Sequence, residues 1–184
     1  MNQHQQLLGT EPIGKLLIKY SVPAIIGMMV NGLYNVVDRI FIGNIPDVGP
    51  IAIAGVGITT PIMTIILAFA MLIGIGAVTN ISIKLGQGQK DTAEKIVGNA
   101  IFLSIFIGIL ISIIGLVFQN PILESFGASA DSMYFAKAYI NIILAGCAFN
   151  IIAFVMNSII RGDGNPKLAA MIMVVGCGMN IVLD

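Results

Sequence analysis

Five stretches of this sequence, residues 16–45, 51–83, 96–118, 133–160 and 168–184, are apolar over lengths that dictate their environment. A helix rises about 1.5 Å per residue and the hydrocarbon core of a bilayer is about 30 Å thick, so roughly 20 apolar residues cross it. The intervals between the runs are short and carry helix breakers: Pro46, Gly49 and Pro50, then Gly86 and Gly88, then Asn120 and Pro121, then Gly162, Gly164 and Pro166. The expectation is an all-α integral membrane protein, a polytopic bundle of about five transmembrane helices without soluble domains. Residues 121–127 are read either as a short helix at the outer interface or as a plain loop.

Composition narrows the function. Hydrophobic residues make up 57% of the 184 and charged residues 10%, far outside the soluble globular range. The net charge is zero and no basic cluster interleaves with aromatics, so a nucleic-acid partner is excluded. Cys147 and Cys177 both lie within apolar runs, where a small buried thiol needs no disulfide or metal. The single histidine, His4, is in the polar tail, and no set of nucleophile, base and orienting group is visible, so no enzyme is expected and no cofactor. Residues 1–14 lack lysine and arginine and the apolar run after them is too long for a signal peptide, so the first span is expected to be retained.

Orientation follows from the basic residues of the short loops. Lys15, Lys19, Lys84, Lys90, Lys95, Arg161 and Lys167 fall on one side, and Lys137 stands on the other beside Asp47, Glu124 and Asp131. The amino terminus, residues 1–14, is therefore expected in the cytoplasm, and the lipid bilayer is the first partner.

Against this background the polar groups inside the runs need a reason. Asp38 lies about 28 Å beyond Lys19 along a straight helix, and Asp184 about 25 Å beyond Lys167, which puts two carboxylates at similar depths in the outer half of the membrane. A carboxylate in a spanning helix is costly and marks an ion or substrate path by default; a protruding helix end is the plainer reading of Asp38. Asn180 precedes Asp184 by four residues, and Asn31, Asn35 and Asp38 line one face of the first span. An isolated asparagine serves equally as glue between helices, whereas a stripe with a carboxylate favours function. Arg39 is about 100° around the helix from Asp38 and is free to snorkel to the outer headgroups. Asn150, Phe154, Asn157 and Arg161 share a face of the fourth run, and 161–167 is turn chemistry, neither an adhesion motif nor a phosphate loop. Methionines such as Met28, Met29, Met156, Met171, Met173 and Met179 suit a surface that accepts varied ligands, though each also suits ordinary packing. Ala70 with Gly74 permits close helix approach, a packing matter.

Several segments, in order and spacing, resemble the amino-terminal part of a multidrug and toxin extrusion (MATE) transporter. They are Gly9-Thr10-Glu11-Pro12-Ile13, Asp38-Arg39-Ile40-Phe41-Ile42-Gly43, Ile51-Ala52-Ile53-Ala54-Gly55-Val56-Gly57, Asn157 to Lys167, and Asn180-Ile181-Val182-Leu183-Asp184. The branch it resembles is the prokaryotic one with an aspartate on helix one and Asn-x-x-x-Asp on helix five. The resemblance implies that residues 15–184 are an incomplete amino-terminal six-helix lobe of a twelve-helix transporter in the prokaryotic plasma membrane. It implies alternating access and export of varied, often cationic amphipathic drug-like compounds driven by H⁺ or Na⁺. It also implies a cation site of Asp38, Asn180 and Asp184, with Na⁺ as the one metal it could hold, and a cavity lined by Asn31, Tyr34, Asn35 and Asn157. About two-fifths of such a transporter is present, so a fragment that requires the carboxy-terminal lobe is expected. Two other readings remain at this point: a lipid-linked sugar or polysaccharide flippase, whose cavity should show several intramembrane arginines or lysines, and a small membrane partner protein that does not transport.

Overall fold

A computed structural model describes residues 12–183, with the side chains of Lys19, Tyr20, Pro23, Ala24, Asn31, Tyr34 and residues 180–183 outside that description. The apolar runs form helices: α1 (Ile13–Gly43), α2 (Gly49–Gly86), α3 (Lys90–Val117), α4 (Gln119–Ser125), α5 (Ala130–Ala145), α6 (Cys147–Gly162) and α7 (Pro166–Leu183). Among the described residues, Ile25–Gly43 of α1 and the whole of α2 and α3 are long and apolar enough to cross a membrane. Residues 121–127, open between helix and loop in the sequence, lie mostly in the short α4. Helices α2 and α3 outrun their apolar stretches into charged sequence, where Lys84 in the last turn of α2 and Asp91 in the first turn of α3 complement the helix dipole. Hydroxyls inside the spans return to their own helix: Thr64 and Thr79 of α2 and Ser104 of α3 each donate to the carbonyl four residues back. That local bond removes the cost of placing a hydroxyl in an apolar medium.

The fourth run differs from expectation. It is two helices, α5 and α6, bent by 56° about Gly146, and only together do they qualify as one span. A bend this sharp needs a cause, and no proline is nearby. Ser112 of α3 supplies one: its hydroxyl inserts at the break, 2.5 Å from the Leu144 carbonyl, which also accepts a backbone N–H there, and 2.8 Å from the Gly108 carbonyl. A hydroxyl carries one proton, so these two acceptors share it in turn. Close approach makes the reach possible, because a Cβ on Gly108 would collide with the Ala148 backbone of α6.

The core lies among α2, α3, α5 and α6, where Ala70, Ile140, Leu144, Cys147, Ile151 and Val155 are fully buried. Small residues on α2 set the spacing. A Cβ on Gly55 would stand 2.8 Å from Phe135 Cβ, and one on Gly74 would stand 3.2 Å from Ser158 Oγ. Ala70 and Gly74 thus do the packing expected of them. Helix α1 stands apart from this block and packs chiefly along α7, while α6 joins α7 to the block. Large apolar side chains such as Leu72, Phe102, Ile142 and Phe149 face outward, as a hydrocarbon environment allows.

Candidate cation site and the α1–α7 groove

Asp38 and Asn35 sit in the second half of α1, Asp38 half-buried and Asn35 exposed. Arg39, one step around the helix, is exposed. Across from them, the half-buried phenol of Tyr139 on α5 lies within electrostatic reach of both the Asp38 carboxylate and the Arg39 guanidinium. The candidate site therefore lies within electrostatic range of the four-helix block through α5. Tyr139 was absent from the sequence reading; the signal was a phenol inside the apolar half of the fourth run, which a hydropathy pattern treats as one more hydrophobe.

The partner helix is α7. Its methionine Met173 packs at Gly27, where an added Cβ would lie 3.1 Å from the sulfur, and the Cys177 thiol points at the Val30 carbonyl 3.8 Å away. These contacts advance in the same direction on both helices, so α1 and α7 run parallel and side by side. The backbone of Asn180 is in the last turn of α7. Its side chain and those of Asn31 and Tyr34 lie outside the described residues, as does all of Asp184.

Asn157 belongs to a different station. Its amide nitrogen donates to the Ala169 carbonyl of α7 at 2.9 Å, and its oxygen accepts from Arg161 Nη2 at 2.8 Å. With Arg161, Met28, Ala169 and Met173 it borders a cavity of about 10 Å³. Met28 precedes Asp38 by ten residues, about 15 Å along α1. Of the expected cavity residues, Asn157 and Asn35 thus lie at different levels along α1.

A family model, MatE, matches residues 23–184. The chain belongs to the MatE family. Among its relatives is the multidrug export protein MepA of Staphylococcus aureus strain MRSA252, 26% identical over 173 residues, which are 94% of this chain and 38% of MepA. An FAD transporter of Shewanella oneidensis is 28% identical, again over 94% of this chain and 38% of its own length. Among solved structures, an outward-facing multidrug resistance MATE transporter of the MOP superfamily superposes with a TM-score of 0.89 and 32% identity, covering all of this chain and 40% of that one. This MatE chain therefore has the helical fold of those membrane transporters over about two-fifths of their length.

Proposed function

We propose that the native gene product is a multidrug efflux antiporter of a prokaryotic cytoplasmic membrane, its amino terminus inside, exporting varied, often cationic amphipathic compounds in exchange for H⁺ or Na⁺. The observation that carries this is Asp38: a half-buried carboxylate in a membrane helix of a MatE-family chain, within electrostatic reach of a phenol on the opposing block. Asp38, Asn180 and Asp184 are the proposed cation site, with Asn31, Tyr34 and Asn35 on the adjoining wall. The parallel register supports the grouping. Val30 meets Cys177, and from there Asp38 lies eight residues further along α1 and Asn180 three residues further along α7. The second lobe, with the rest of the relatives' length, completes the transport path.

In this mechanism, a proton or Na⁺ at the carboxylates cancels charge that a cationic substrate needs, so each ligand weakens the other by the same factor. Each net elementary charge that enters supplies about 2.3 kcal/mol per 100 mV of membrane potential, so exchange of one H⁺ or Na⁺ for one monovalent cation is driven by the ion gradient alone, and entry of more than one ion adds the electrical drive. Transport of this kind makes no covalent bond, so the protein is no enzyme. The test is efflux of a cationic dye by native and Asp38→Asn protein across a series of pH and Na⁺ values. Loss of the ion dependence is expected; persistence of efflux with unchanged dependence sinks the proposal. The relative named as an FAD transporter favours a second reading, an anionic substrate. Competition by a flavin nucleotide, with no competition by cationic dyes, would select it.

A further inference from the structure

Arg161 and Asn157 stand one turn apart on α6, both half-buried, beside the turn into α7. The guanidinium donates to the asparagine oxygen, and that bond decides which way the amide faces: with Oδ1 occupied by a donor, Nδ2 is the atom presented to α7. Nδ2 in turn donates to the Ala169 carbonyl, in the opening turns of α7, which has a second lone pair to accept it. The arrangement is an oriented relay from α6 to the backbone of α7. Arg161 also sits in the last turn of α6, where its charge suits the helix terminus. Its Nε is buried without a hydrogen-bond partner among the described residues, a cost that surface snorkelling would avoid. The side chain is thus held inward over the amide, at a position where the headgroup region was within its reach.

We infer that Asn157 and Arg161 are positioning residues that clamp the start of α7, and with it α1, to the block formed by α2, α3, α5 and α6. The consequence for function follows from the packing. Helices α1 and α7 lie on each other through Met173 with Gly27 and Cys177 with Val30, so they shift as a pair. That pair bears Asp38 and Asn180, whereas Tyr139 belongs to the block. The clamp sets the height of the one against the other from a distance, and its functional meaning rests on the transport reading while the clamp itself does not.

Hydrogen exchange of the native gene product in lipid nanodiscs, without substrate or coupling ion, separates the two. Asn157→Asp keeps the acceptor for Arg161 but replaces the donor to Ala169 with a second oxygen. Amide exchange in α1 and α7 is expected to rise about two- to tenfold, the worth of one net hydrogen bond, with α2, α3, α5 and α6 unchanged. Arg161→Lys, which can still donate to Oδ1, is expected to stay within about twofold of native on the same scale. An Asn157→Asp protein with native exchange in α7, or with a rise spread evenly over all helices, overturns the clamp. Should that variant not fold, Arg161→Met leaves the amide in place but unoriented and carries the same expectation and the same refutation. Because no transport is measured, failure here leaves the antiport proposal standing, and failure of the Asp38→Asn test leaves the clamp standing.

Discussion

Gly55 and Gly57 are two residues apart on α2, yet a methyl group added at each should act in opposite directions. At Gly55 a Cβ would lie 2.8 Å from Phe135 Cβ and 2.9 Å from the Ala136 backbone nitrogen, whereas at Gly57 it would meet nothing within 4 Å. Carbon atoms rest at about 3.5–4.0 Å, so Gly55→Ala must push α5 away by close to 1 Å or bend α2. Backbone atoms cannot swing aside as the end of a side chain can. Overpacking of this kind costs about 1–3 kcal/mol, while replacing a helical glycine by alanine returns up to about 1 kcal/mol at either position. Gly57→Ala is therefore expected to be neutral or stabilising by up to about 1 kcal/mol, and Gly55→Ala to fall about 1–3 kcal/mol below it. Thermal unfolding of both variants of the native gene product in one detergent, followed by helical circular dichroism and tryptophan-independent thiol labelling of buried Cys147, reads the difference. If the two melt together, or Gly55→Ala melts higher, the close approach of α2 and α5 is not a determinant of the packing.

Ser112→Ala removes the donor that reaches the Leu144 carbonyl, and should destabilise by about 0.5–1.5 kcal/mol, the worth of one net hydrogen bond, with the loss visible as faster exchange on both sides of Gly146. Tyr139→Phe deletes the phenol oxygen within electrostatic reach of Asp38 while keeping the ring; under the antiport proposal it should raise the half-saturating concentration of the coupling ion about two- to tenfold with an unchanged melting temperature. A variant with native ion dependence would remove Tyr139 from the site.

Some of this molecule was legible before any coordinates. Helix positions follow from the apolar runs and their glycine and proline punctuation, because in hydrocarbon a backbone that leaves its own hydrogen-bond ladder pays several kcal/mol per group. The polar stripe on α1 was legible for the same reason, since a carboxylate inside an apolar run is conspicuous by its cost. What escaped was set by partners distant in sequence. Gly146 looks like many helical glycines in such spans; the helix breaks there where Ser112, 32 residues before Leu144, donates to the Leu144 carbonyl. Pro61, the stronger breaker by composition, sits inside α2 without ending it.

Asn157 and Tyr139 show where the division falls. The sequence by itself determined that α6 would present Asn157 and Arg161 on one face, because residues four apart align on any helix. Only the tertiary structure decided that this face meets the Ala169 carbonyl, so that the amide clamps α7 at a level about 15 Å along α1 from Asp38. It likewise decided that the phenol of Tyr139, on a helix begun some ninety residues after α1, comes within reach of Asp38. Periodicity is a property of one helix and can be counted along the chain; which helices become neighbours depends on the fit of Gly55, Gly74 and Gly108 against particular backbones, and that fit exists only once the bundle is assembled.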